Sequence, residues 1–160
     1  MNFKQTLMTH ALIPGLNRLA QVDYDSIHLY DQALRHITDL KVKEKIGDFK
    51  VDHEKHVSDL SRVIAALGGE PIARKKDALG YLLETFTNLR SITGTNGALN
   101  AMNTNEMLTN AAYRAALALD LPADAREVVE ANYADEKRHK AFIEKELARR
   151  SWRKLLIKAA

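Results

Sequence analysis

Four long stretches of this chain place apolar residues alternately three and four positions apart, and no run alternates apolar with polar residues. That spacing draws one apolar stripe down one face of an α-helix and leaves no half-buried strand from which to build a sheet. An all-α chain is expected. Seven glycines and three prolines supply the punctuation. The first helix is expected from about Leu12 or Gly15 to Ile37, closed by Thr38-Asp39, where Asp39 can cap the helix that follows. The second runs from about Val42 to Leu67 and stops at Gly68-Gly69-Glu70-Pro71, with glycine at the cap and proline just beyond. A shorter apolar segment, Asp77 to Thr93, ends at Gly94-Thr95-Asn96-Gly97. The third helix then occupies Ala98 to Leu119, and after Asp120-Leu121-Pro122 the fourth runs from Ala123 to at least Leu147. No internal repeat at a fixed period is evident.

Short connections make helices one and two, and helices three and four, antiparallel neighbours. About thirty residues separate the two pairs, enough for a crossover with a short helix of its own, because roughly 16 residues at 1.5 Å each span about 24 Å. The chain has 160 residues, of which 28% are charged and 46% hydrophobic. Those values suit one globular domain, 1–160, and exclude a disordered, fibrous or membrane-spanning chain. The absence of cysteine removes disulfides, thiol catalysis, iron–sulfur clusters and cysteine-based zinc sites together, so a metal must sit on nitrogen and oxygen. Met1 to Pro14 carries one lysine and no long apolar run, which does not read as a secretory signal, and cytoplasm is the expected compartment.

The stripe of the first helix reads Leu16, Ala20, Asp23, Ile27, Tyr30, Leu34 and Ile37, interrupted by one carboxylate. The second reads Ile46, Phe49, His53, His56, Leu60, Val63 and Leu67, with two imidazoles one turn apart at its centre. The third reads Leu99, Met102, Glu106, Thr109, Tyr113 and Ala116, and the fourth Val129, Asn132, Glu136, His139, Ile143 and Leu147. Every helix thus turns an ionisable side chain inward. A buried carboxylate or imidazole without a partner costs on the order of several kcal/mol, so six of them in one core must be paired or must share a cation. Residues at i and i+3 lie about 5–6 Å apart on one side of a helix, close enough for Glu136 and His139 to hold one ion together. The alternative is a degenerate bundle in which Asp23, His53, His56, Glu106, Glu136 and His139 only hydrogen-bond one another.

These residues resemble the ferritin-like superfamily, whose bacterioferritin and rubrerythrin branches bind paired iron ions. Two antiparallel pairs joined by one long crossover is also the connectivity of that fold. His53-Glu54-Lys55-His56, with the turn Leu67-Gly68-Gly69-Glu70-Pro71, is similar to the family's Glu-x-x-His helix and its Gly-x-Pro turn. Asp23 and Tyr30 resemble the Glu and Tyr of the first helix, Glu106 the lone third-helix Glu, and Glu136 with His139 the second Glu-x-x-His. The run from Leu16 to Leu147 looks closest to a bacterial ferritin-like family of undefined function. The resemblance implies a ferritin-like four-helix bundle with six metal ligands, Asp23, His53, His56, Glu106, Glu136 and His139. They would hold one or two iron ions, with manganese or zinc as alternatives, and oxygen or peroxide would be the oxidant. His53 stands where the family has a carboxylate that bridges two metals, and an imidazole nitrogen does not bridge in that way, so a second ion would be held less tightly. Glu54 stands where bacterioferritins offer a haem-ligating methionine, so no haem is expected, and the lack of cysteine excludes the iron–sulfur module of complete rubrerythrins.

The remaining signals have plainer readings. Tyr30, Tyr113 and Phe49 are expected as core packing, the two hydroxyls satisfied there or serving as donors beside the ligands. Asp25 and His28 have ligand spacing but point about 140–200° away from Asp23 and are expected to be solvated. Net charge is +3, yet Lys137 to Ala160 carries nine Lys or Arg against Glu144 and Glu146, a local +7 that leaves −4 on the other 136 residues (3 − 7). The basic tail, 149–160, is expected to pack its apolar side on the parent bundle or a sister subunit, ahead of docking on nucleic acid or an anionic membrane surface. The leading functional expectation is iron-dependent oxidation with oxygen or peroxide, ferroxidase or peroxidase-like. Its competitor is a non-catalytic stress or interaction protein with a degenerate or structural zinc or manganese site. The family also builds 24-subunit cages, but a basic last segment does not suit a mineral-nucleating shell. A homodimer packing helices one and two is expected instead.

Overall fold

The computed structural model describes residues 3–72 and 93–159. Among them are four helices, α1 (Phe3–His36), α2 (Leu40–Ala66), α3 (Gly94–Leu117) and α4 (Ala123–Ala159). α1 packs on α2 and α3, and α4 packs on α3 and α2, closing a four-helix bundle. Every contacting pair is antiparallel. Thr95 in the first turn of α3 meets the end of α1, its Oγ1 accepting the backbone N–H groups of Thr38 (3.0 Å) and Asp39 (3.3 Å). Asp39 then caps α2, its Oδ1 accepting from the Val42 N–H at 3.3 Å, while its Oδ2 is bound by Arg150 near the far end of α4. α2 therefore ends, and α3 begins, at opposite ends of the bundle, and the link between them must travel its length. The short crossover helix expected at Asp77–Thr93 falls outside the described residues but for Thr93, which stands at the N-cap position of α3 without a side-chain capping bond.

α1 starts at Phe3 rather than at Leu12 or Gly15 and runs through Pro14. An interior proline removes one backbone hydrogen bond and costs about 3 kcal/mol. Burial of Leu12, Leu16 and Leu19 along one stripe opposes that cost. α3 starts at Gly94 rather than Ala98 because the Thr95 contact with the α1–α2 turn draws its first turn into the bundle; Gly94 has a φ of +62°. The end of α2 follows its glycines. Gly68, at φ +80°, donates to Ala65 O and Gly69 to Ile64 O, both at 2.9 Å, closing a Schellman motif. A Cβ on Gly69 would fall 2.8 Å from Ile13, so α1 and this turn approach through the missing side chain.

The core divides into two apolar plugs. One gathers Ile37, Ile46, Phe49, Leu99 and Ile143 near the α1–α2 turn. The other gathers Leu16, Leu60, Ile64, Ala116 and Val129 at the opposite end. Between them lies a layer of buried polar side chains. No helix of the described residues is long and apolar enough to cross a membrane. The turn geometry sets a pair of opposite expectations. Gly68→Ala should lose about 1 kcal/mol in urea unfolding, because an L-residue is strained at positive φ. Gly47→Ala, in mid-helix with nothing within 4 Å of the new Cβ, should gain about 0.5–1 kcal/mol.

Candidate metal centre

Asp23 on α1, His53 and His56 on α2, Glu106 on α3, and Glu136 and His139 on α4 converge in that layer, each with no solvent exposure. Their donor atoms form two overlapping groups, Asp23–His53–His56–Glu136 and His53–Glu106–Glu136–His139, with all atoms of a group within 4.8 Å of one another. His53 Nδ1 donates to Asp23 Oδ1 at 2.9 Å, and its Nε2 lies 3.7 Å from Glu106 Oε1. Glu136 Oε1 stands 3.1 Å from His56 Nδ1 and 3.4 Å from His53 Nδ1. His139 Nδ1 lies 3.8 Å from Glu106 Oε2 and 3.9 Å from Glu136 Oε1.

The outer nitrogens are held from outside. His139 Nε2 donates to Asp52 Oδ2 at 2.9 Å and His56 Nε2 to Asp135 Oδ2 at 3.3 Å, and Arg138 binds both aspartates. A carboxylate on one ring nitrogen fixes the tautomer and turns the other nitrogen, Nδ1 in both residues, toward the centre. Tyr30 OH donates to Glu106 Oε1 at 2.5 Å, and Tyr113 OH to Asp23 Oδ2 at 2.7 Å. These links are reciprocal, and the reason is in the numbering. Asp23 and Glu106, Tyr30 and Tyr113, Asp52 and Asp135, His53 and Glu136, His56 and His139 are each separated by 83 positions (106 − 23 = 83). Core pairs Leu16 and Leu99, Ala33 and Ala116, Ile46 and Val129, Leu60 and Ile143 keep the same separation and exchange plugs. The bundle is one helix pair used twice about a pseudo-twofold axis through the polar layer. A search for short tandem periods misses a single duplication of this length.

Asp52 and Asp135 belong to the candidate centre but the apolar stripes do not reveal them, since each lies one position off its stripe. The signal was the shared pattern Asp-His-x-x-His at 52–56 and Asp-Glu-x-x-His at 135–139. Asp25, expected to be solvated, is 4% exposed and accepts from Gln21 Nε2 at 2.8 Å, while His28 packs edge-on to Tyr24. Neither joins the centre. On α1 Ser26, rather than Ile27, enters the core, bonding the Val22 carbonyl and Asn105. Phe49 does more than fill space, stacking on the His139 ring at 4.2 Å.

Five atoms facing the centre have no hydrogen-bond partner: His53 Nε2, Glu106 Oε2, both oxygens of Glu136 and His139 Nδ1. Buried unpaired carboxylate oxygens are costly, and here their free lone pairs point into one space. The donor set, three carboxylates and three imidazoles without sulfur, suits iron, manganese or zinc. These groups are able to hold metal.

The sequence matches the family described as "Domain of unknown function (DUF2383)" over residues 11–119. No curated protein matches it. Among solved structures, the bundle is similar to the bacterioferritin-related protein from Bacteroides fragilis, described as a dodecameric thioferritin. The two share a TM-score of 0.76 and 13% identity over 91% of this chain and 89% of that one. At that identity the likeness establishes the fold, a ferritin-like four-helix bundle.

Without metal, charge balance inside the layer is set by protons. Burial by itself pushes the Asp23 carboxyl up, but hydrogen bonds from His53 and His56 outweigh it and hold Asp23 below the usual value. Burial also opposes charge on His53 and His56, yet Glu136 and Asp23 prevail, lifting His53 well above the ordinary imidazole value and His56 to about 9. Burial pushes Glu136 up, and burial with the neighbouring His53 and His56 charges pushes His139 down, so His139 stays neutral. A raised folded-state value means that the stabilisation is complete below about 6.5 and is lost as pH rises through about 9 for His56. The His139 shift acts below neutral pH and leaves that window clear. Metal-free protein should therefore melt at a lower temperature at pH 9.5 than at pH 7. His56→Gln should flatten that slope, and an equal slope in the variant would remove His56 from the explanation.

Proposed function

The chain belongs to the DUF2383 family, and from that premise and its ferritin-like fold we propose an iron-dependent oxidation centre that uses oxygen or peroxide. The observation that carries this reading is the set of unpaired donor atoms aimed at one point between two apolar plugs. Asp23, His56 and Glu136 would hold one ion, and Glu106, His139 and Glu136 a second, with Glu136 common to both groups. His53 stands between the groups, and a neutral imidazole offers one lone pair, so it serves one ion at a time. A second ion would then be held less tightly than the first. When bound, iron would supply the one-electron chemistry that reduces the oxidant.

The protein's own work is positional. Asp52 and Asp135 orient His139 and His56, and Arg138 pairs with both aspartates. Tyr30 and Tyr113 each donate to one carboxylate oxygen and so steer the other oxygen inward. The plugs on both sides exclude bulk water. The chain acts in this reading as a homodimer in the cytoplasm. Self-association is in keeping with the similar Bacteroides fragilis protein, which is dodecameric.

Elemental analysis of protein purified without a polyhistidine tag should find iron in whole-number proportion to the chain. Clean metal-free protein of undiminished stability would instead favour the non-catalytic interaction reading. Chelation should lower the melting temperature by about 5–10 °C, from a tightly bound ligand at about 2.7 kcal/mol and about 2–4 °C per kcal/mol. Glu136→Ala and His139→Ala should remove both the iron and the chelator's effect; retention of both would misplace the site. His53→Glu should raise occupancy toward two ions per chain.

A further inference from the structure

α4 continues as helix through the basic tail to Ala159, and Trp152, Leu155 and Leu156 are 68%, 59% and 69% exposed. Of the two packings expected for this tail, on its own bundle or on a sister subunit, the first is not made by the described apolar side chains Trp152, Leu155 and Leu156. Ile143 faces the core, and at 100° per residue the three apolar side chains lie about 120–180° around the helix from it. The apolar face of the tail therefore looks away from the molecule. It is a second stripe rather than a continuation of the core stripe.

At the other end of the bundle, the last turns of α2 and the first turns of α4 enclose a groove of about 350 Å³. Val63, Leu67, Pro122, Ala125 and Val128 line it, and Asp124 stands on its wall. Asp59 and Arg62, which pair with each other, also line it, and Asp120 and Glu127 are exposed on the neighbouring turns, beside Arg126, which lies 3.8 Å from Glu130. With Arg62 paired to Asp59, the charge the apolar groove leaves open is the exposed Asp124, and the tail is apolar with basic flanks, Arg153 and the Glu146-bound Arg149. Pro122 and Trp152 lie about 45 Å apart along one continuous helix, so a tail cannot reach the groove of its own chain. Tail-to-tail pairing would set like charges against each other. We propose that the Trp152–Leu156 face of one copy docks into the α2–α4 groove of a second copy of this chain, steered by Arg153 toward Asp124. The smallest closed arrangement is an antiparallel pair in which each tail occupies the other's groove. That places the contact between copies at the ends of α4 rather than on the faces of α1 and α2.

Trp152 is the only tryptophan in the chain, so its fluorescence reports the contact directly. Sedimentation of the full chain should give about 36 kDa, twice 18.0 kDa. Dilution to the monomer should move the Trp152 emission to longer wavelength. Leu156→Glu, Asp124→Arg and Arg153→Glu should each weaken association about tenfold or more. Asp124→Arg combined with Arg153→Glu should recover part of that loss. All three positions are exposed and far from the buried centre, so helical circular dichroism and iron content should not change. A monomer at about 100 μM, a mass unaffected by these substitutions, or emission that does not follow the mass would each overturn the proposal. Emission that moves only on adding phosphatidylserine vesicles, with no change of mass, would assign the tail to an anionic membrane instead.

Discussion

Six ionisable side chains sit without solvent exposure midway along the bundle, and a low-dielectric interior makes that placement costly unless every charge has an answer. Much of the rest of the structure supplies answers. Tyr30 and Tyr113 cross the bundle to donate to the carboxylates, Asp52 and Asp135 cross it to hold imidazoles, and Arg138 neutralises the two aspartates. What remains unanswered is concentrated on the inward-facing atoms of His53, Glu106, Glu136 and His139. A layer satisfied from outside and unsatisfied at its middle is able to hold a cation.

The pseudo-twofold explains why so many partners are found with so little chain. Positions separated by 83 residues do the same work on opposite sides of the axis, so each half provides the carboxylate, the tyrosine and the outer aspartate that the other half needs. The symmetry is broken at Asp23 against Glu106 and at His53 against Glu136. Both breaks fall on inward-facing positions. The two groups share His53 and Glu136 and each has two carboxylates and two imidazoles, so they differ in residue type only in the shorter Asp23 of one against the longer Glu106 of the other.

α4 joins the centre to the surface. Its middle turns carry Glu136, Arg138 and His139, Arg150 returns to the Asp39 cap of α2, and the last turns leave the bundle with an apolar face turned outward. Exposed ion pairs such as Lys45–Asp48 and Arg149–Glu146 contribute little to stability. The Arg138 pairs matter for a different reason. They hold aspartates that are only partly exposed, and through them the rings of His56 and His139.

The helices and the ionisable residues of the buried layer were legible in the sequence, because a period near 3.6 and an ionisable residue within an apolar stripe are both local signals. The stripes of α3 and α4 are buried nearly as read, from Leu99 to Ala116 and from Val129 to Ile143. So too were the caps at Asp39 and Gly68, which depend on a few neighbouring residues. Tertiary structure decided what depends on helices meeting. It put Ser26 rather than Ile27 into the core, because Asn105 of α3 offers it a partner. Through the Thr95 contact it began α3 at Gly94. It chose Nδ1 of His56 and His139 as the inward nitrogens, because the aspartates that take their Nε2 protons come from the opposite helix. And it turned the apolar face of the tail outward, since the rotation of α4 is set by the burial of Val129, Glu136, His139 and Ile143 inside the bundle rather than by the residues that follow.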